Sequence, residues 1–205
     1  MSRGRTATPS PREAGPPALL LIHREAVAPE HALEYAGLES AIARACHELG
    51  GPHPYLALET LTGSPEVWFL NGYASLTESQ GVGDRYAANT RLMATLAETS
   101  RRKATLVVVL GEHLASCRTP AHAWRLGHDR YLVVTIGRDG PQHGVTFEAP
   151  DGTWFGLEGA IDPDAARALA ARRGPSARAL AVRPSWSYPA PQWLQQYPEL
   201  WSGWR

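Results

Sequence analysis

His23, Tyr55, Glu59, Phe69 and Asn71 are the side chains through which this chain could hold a small molecule. Each falls at the same phase of a strand-like segment: His23 in Ala18–Arg24, Tyr55 and Glu59 in Tyr55–Thr60, Phe69 and Asn71 in Val67–Tyr73. Residues two apart on a strand share a face. With Leu19, Leu21, Ala57 and Val67 these five make a surface that is mostly apolar with a few hydrogen-bonding groups, the make-up of a small-molecule pocket. A histidine beside a carboxylate can accept a proton near neutral pH. The same groups would equally serve to hydrogen-bond across a subunit interface. The opposite face, Leu20, Ile22, Leu56, Leu58, Trp68 and Leu70, is almost wholly apolar and is expected to lie under helices.

Other chemistries find little support. His113, His122 and His128 crowd a stretch of 16 residues beside Asp129. None of these pairs has the fixed helical spacing of a metalloprotease, and no cysteine pair suggests zinc, so no metal is expected. Gly-x-Ser-x-Gly is absent. Gly81-Val82-Gly83-Asp84 lacks the rest of a dinucleotide fingerprint. Cys46 and Cys117 are too few for a disulfide framework, and Cys46 reads as a buried thiol. No cofactor is expected.

The elements that must position these residues follow from local signals. Pro29 opens a helix, Glu30–Leu49, with an apolar stripe at Tyr35, Leu38, Ile42, Cys46 and Leu49, closed by Gly50 and Gly51. Thr62–Pro65 turns a hairpin between the second and third strands. Ser75-Leu76-Thr77-Glu78 has the form of a capping box opening a helix to Arg102, with a break and restart expected at Gly81–Asp84. Thr105–Leu110 is an apolar run of strand length, or a buried helical turn, and 111–128 reads as loop. Tyr131–Ile136 is a strand. Gly144–Glu148 and Thr153–Gly159 form a hairpin about Pro150-Asp151-Gly152. Asp162-Pro163 caps a helix that stops at Gly174, and Ala177–Arg183 is a last strand.

The organisation expected is a disordered tail over 1–17, a ferredoxin-like domain over 18–137, a second, incomplete half over 138–183 packed on the first, and an aromatic tail over 184–205. The fold class is α+β and ferredoxin-like, read as two fused half-units or as one unit with an elaborated second half. The last 22 residues hold four of the seven tryptophans, and they read as a strap over their own domain or as an arm around a second subunit.

Lys+Arg and Asp+Glu balance at 20 each, with a pI near 7.1, so no global field draws in nucleic acid or an anionic membrane. The run Ala18–Ile22 is too short to span a bilayer, and the chain reads as cytoplasmic.

Three segments carry a family likeness: Ile22-His23-Arg24-Glu25-Ala26-Val27, Tyr55-Leu56-Ala57-Leu58, and Pro65 through Ser75. In these the chain resembles the dimeric α/β-barrel group, in particular bacterial members related to the NIPSNAP and antibiotic-biosynthesis monooxygenase families. The resemblance implies a ferredoxin-like fold whose sheets pack face to face in a homodimer. It also implies either binding of a small apolar or aromatic molecule, or cofactor-independent oxygenation of an aromatic substrate. Asn71 with Trp68 loosely matches the polar and aromatic residues of those oxygenases, although alternation puts the two on opposite faces. A third reading is an interaction protein that uses its aromatic tail as the contact.

Overall fold

The computed structural model describes residues 15–140 and 143–202. Strand β1 (Leu19–Val27) leads through a single 3-10 turn opened by Pro29 into helix α1 (Ala32–Leu49). Gly50 ends α1 in the left-handed conformation, φ 73°, as a glycine after a helix should. Strands β2 (Leu56–Thr60) and β3 (Glu66–Tyr73) form the expected hairpin. The Thr60 hydroxyl stitches its turn, donating to Ser64 O at 3.1 Å and accepting from Glu66 N at 2.9 Å.

Helix α2 (Leu76–Ala88) starts on the capping box: Ser75 Oγ accepts from Glu78 N at 3.1 Å, and the Glu78 carboxylate reaches back to Ala74 N. The break expected at Gly81–Asp84 does not occur. α2 runs through both glycines, and the interruption comes at Asn89, which opens helix α3 (Thr90–Lys103). Asn89 holds this junction twice. Its Oδ1 accepts from Leu92 N at 3.2 Å and its Nδ2 donates to Leu49 O at 2.8 Å, tying the new helix to the end of α1.

Strand β4 (Val107–Cys117) is longer than expected: 111–117, read as loop, is strand. Gly111, Glu112 and His113 break the apolar pattern, but antiparallel pairing to β1 holds them extended. Strands β5 (Tyr131–Gly137), β6 (Val145–Glu148) and β7 (Trp154–Ala160) follow, then helix α4 (Pro163–Arg173), strand β8 (Ala177–Val182) and the short helix α5 (Pro191–Gln196). Asp162 caps α4 by accepting from Ala165 N at 2.7 Å.

The eight strands close an antiparallel barrel in the order β1-β3-β2-β8-β5-β7-β6-β4. Two quartets compose it. β4-β1-β3-β2 and β8-β5-β7-β6 have the same internal order, and at each seam the second strand of one meets the fourth strand of the other. Strand β5, grouped with the first unit on sequence, takes its neighbours from β7 and β8, so the second quartet begins at Tyr131 rather than 138.

Barrel closure reverses the expected assignment of faces. Leu20, Ile22, Leu56, Leu58, Trp68 and Leu70 are buried, yet what covers them is the inner face of the second quartet: Leu132, Val134, Phe155, Leu157, Leu180 and Val182. Helices α1 and α3 lie instead on the outer face, where Tyr35, Cys46 and Leu92 pack against Tyr55, Ala57, Val67 and Phe69. The surface expected to await a ligand or a sister subunit is therefore the one under the helices. In the second quartet, Ala166 and Ala170 of α4 pack on Val133, Ala177 and Ala179.

Leu200 and Trp201 join the barrel core, and Trp193 stacks on Trp201 with ring centroids 6.0 Å apart. The described part of the tail thus straps its own domain. Of the expected disordered segment, 1–14 lies outside the described residues. Among the described residues no helix is long and apolar enough to cross a membrane.

Candidate functional site: a buried charge network and the cleft beside it

Alternation along β1 sends His23 and Glu25 outward together, beneath α1 and α3. On α1, Tyr35 and Glu39 stand one helical turn apart and face the same way. α3 ends on Lys103. These five residues form one network. Lys103 Nζ lies 2.9 Å from Glu25 Oε1 and 2.8 Å from Glu39 Oε1, the second an ion-pair contact off hydrogen-bond alignment. Tyr35 donates its hydroxyl to Glu25 Oε2 at 2.7 Å. His23 Nε2 meets Glu25 Oε1 at 2.9 Å, and its Nδ1 meets Glu112 Oε2, on β4, at 3.1 Å. The Lys103 ammonium also sits 4.6 Å above the Phe69 ring.

Burial here is deep: Glu25 is 3% exposed, Glu39 1% and Tyr35 1%. Charges so placed must be paired or neutralised. The hydrogen bond to Glu25 holds the His23 imidazolium above the ordinary histidine range, against the opposing effect of burial. Burial pushes Glu25 up, but its bonds to His23 and Tyr35 and the charge and contact of Lys103 together hold it below the usual carboxylate range. Glu39 goes the other way, because burial dominates and Lys103 offsets it only in part. Burial drags Lys103 down, and its two carboxylates more than restore it. Both ring nitrogens of His23 face carboxylates, Glu25 on one side and Glu112 on the other. The network ties β1, α1 and α3 together and fixes the Tyr35 ring.

That ring borders a cleft of about 360 Å³ between the start of α1, the β2–β3 hairpin and the 3-10 turn Pro184–Trp186. Val27, Pro29, Tyr35, Pro65, Val67 and Trp186 make most of its apolar wall, with Glu59 and Thr60 among its polar groups. Tyr35 and Trp186 meet edge to face at 5.9 Å. The Glu59 carboxylate is 46% exposed and 3.6 Å from Arg183 Nε, and the Arg183 guanidinium lies 4.7 Å over the Trp186 ring.

The five residues singled out on sequence thus part company. His23 and Phe69 belong to the charge network, their rings 6.1 Å apart. Glu59 lines the cleft. Tyr55 is buried between Phe69 and Tyr188, its hydroxyl without a hydrogen-bond partner among the described residues. Asn71 pairs with Leu21 across β1–β3 and His23 with Phe69, which leaves His23 and Asn71 diagonal on one face, with no hydrogen bond between them among the described residues. The Asn71 amide donates to Pro54 O at 3.4 Å, and Asn71 does not line the cleft. Glu25, Tyr35, Glu39 and Lys103 escaped the sequence reading. The signal available was Glu39: it shares the buried face of α1 with Tyr35, Ala43 and Cys46, where a carboxylate requires a buried partner.

Among the described residues no group of three or more histidine, cysteine or acidic side chains is placed to hold a metal ion. No family model matches the chain, and no curated protein matches it. Solved structures similar to it include the following two. A candidate monooxygenase from Fusobacterium nucleatum subsp. nucleatum is 9% identical over 83% of this chain and 93% of its own, with a TM-score of 0.49. A candidate chlorite dismutase is 9% identical over 82% and 95%, with a TM-score of 0.48.

Proposed function

We propose that this protein binds a small molecule in the cleft beside Tyr35 and Trp186. The ligand has an apolar or aromatic body, and a cationic or hydrogen-bond-donating group that meets Glu59. The observation that carries this reading is the cleft itself. Its volume, about 360 Å³, falls in the range of small-molecule sites, and it sets a carboxylate at the rim of rigid apolar and aromatic walls. Glu59 has only the loose 3.6 Å contact with Arg183, so it is open to a closer donor. The buried network supplies the rigidity: Tyr35 cannot swing away without giving up its bond to Glu25. We read the scaffold as a ferredoxin-like, dimeric α/β-barrel architecture fused into a single polypeptide, because both quartets share one strand order.

Calorimetry with a matched trio, 4-phenylbutylamine, 4-phenylbutanol and 4-phenylbutyrate, tests the reading. The amine binds most tightly. Glu59→Gln brings it to the level of the alcohol, a loss of roughly two- to fivefold, as expected of a half-exposed ion pair. Arg183→Ala, by freeing Glu59, tightens the amine. If none of the three binds, the cleft is not a ligand site; if the carboxylate binds best, Arg183 and not Glu59 selects the ligand.

A further inference from the structure

Strand β4 pairs with β1 from Val107 to Ser116, but with β6 only at Ser116 and Cys117. Over Val107–His113 its other edge therefore carries backbone groups with no strand partner among the described residues. This same stretch holds three consecutive exposed apolar side chains: Val108 is 65% exposed, Val109 57% and Leu110 43%. Natural sheets guard such an edge with lysine, proline, a bulge or a covering segment. Residues 107–111 contain neither proline nor a charge; the one guard is a bulge in β4 itself, where Leu110 is the extra residue between Val109 and Gly111, the partners of Glu25 and Arg24.

We propose that a second copy of this chain pairs with that edge, β4 against β4 in antiparallel fashion about a two-fold axis near Val109. Two observations select a second copy. First, the run is its own complement: antiparallel pairing near Val109 lays each copy's exposed Val108, Val109 and Leu110 beside the other's and buries both copies' apolar side chains at once. Second, the charges at its two ends are opposite. Glu112 closes the run at one end, its side chain 63% exposed even while it contacts His23. Arg101 and Arg102, exposed at the end of α3, stand just before it at the other. Arg102 pairs with Glu34, whereas Arg101 has no ion-pair partner among the described residues. Antiparallel pairing brings the Glu112 end of one copy alongside the Arg101 end of the other, at both ends of the ladder. The apolar patch is small beside the ~800 Å² per partner of a stable interface, so the association is weak and concentration-dependent.

Sedimentation equilibrium of the full chain over a dilution series tests this. The weight-average mass rises from that of one chain, 22.3 kDa, towards two as concentration increases. Val109→Lys holds the mass at one chain throughout, and so does Val108→Lys, which points from the other face of the strand. Arg101→Glu lowers the dimer fraction, because it sets like charges beside Glu112. Circular dichroism of each variant checks that the fold persists, and having two lysine variants guards against one that disturbs it. A wild-type mass fixed at one chain up to the solubility limit overturns the proposal. So does association that both lysine variants leave unchanged.

Discussion

Replacing Lys103 by Met removes the ammonium between two carboxylates while keeping an unbranched stem over Phe69. Nζ stands 2.9 Å from Glu25 and 2.8 Å from Glu39, and the carboxylates are 3% and 1% exposed at the residue level. Breaking a buried ion pair from one side costs about 3–5 kcal/mol, because the charge left behind has neither water nor partner. Glu25 keeps His23 and Tyr35; Glu39 loses its counter-ion and is pushed still further above the ordinary carboxylate range. The loss must therefore depend on pH. Between the unfolded and folded values of Glu39 the native state binds more protons than the unfolded chain, so stability falls as pH rises through that window. Urea titrations at pH 8 and pH 5.5 measure this. At pH 8 the variant loses about 3–5 kcal/mol, which for a chain of this length lowers Tm by about 6–20 °C. At pH 5.5 the deficit is smaller, because Glu39 takes up a proton, and adding Glu39→Gln at pH 8 recovers part of it. A loss at pH 8 below about 1 kcal/mol, or an equal loss at both pH values, would show that solvent reaches these carboxylates and that the burial argument is wrong.

Two further outcomes follow from the geometry. His23 is held above its ordinary range, chiefly by Glu25, so its contribution to stability is complete below the unfolded histidine value and fades as pH rises through the folded one. His23→Gln should then lower Tm more at pH 6 than at pH 9, and a uniform shift would contradict the assignment. Gly127 has φ 83°, and a Cβ there would sit 2.4 Å from Trp193 Cδ2. Gly127→Ala is expected to cost more than ~1 kcal/mol and to loosen the Trp193–Trp201 stack; limited proteolysis should then cut within 187–202 faster than in the parent chain.

What could be read in the sequence was what is decided locally. Gly50, the Ser75 capping box, the turn at Pro150-Asp151-Gly152 and the Asp162 cap each act within a few residues, and each stands where the sequence places it. What escaped depends on distant partners. The extension of β4 through Gly111–His113 rests on a ladder to β1, about ninety residues earlier in the chain. The seams β2–β8 and β4–β6 leave no mark in either strand alone. Alternation divided the outer from the inner residues of β1 and β3 correctly, but it says nothing about whether a helix or another sheet covers each side. Hence His23 and Phe69 were grouped rightly on one face, while that face was given the wrong cover. The site suffered most: Glu25 and Lys103 are 78 positions apart, and only Glu39, out of place on a buried stripe, announced that a cation must come to it.

A barrel closed by two copies of one gene product repeats every residue on both sides of its axis, so any change made for a ligand is imposed twice. Here the two quartets are separate stretches of one polypeptide. One carries three helices, the charge network and most of the wall of the cleft; the other carries α4, with the short α5 in the tail beyond it. Two unlike stretches can each change without imposing the change on the other, so under the function proposed above a cleft on one side needs no mirror image, and a single occupant suffices per barrel.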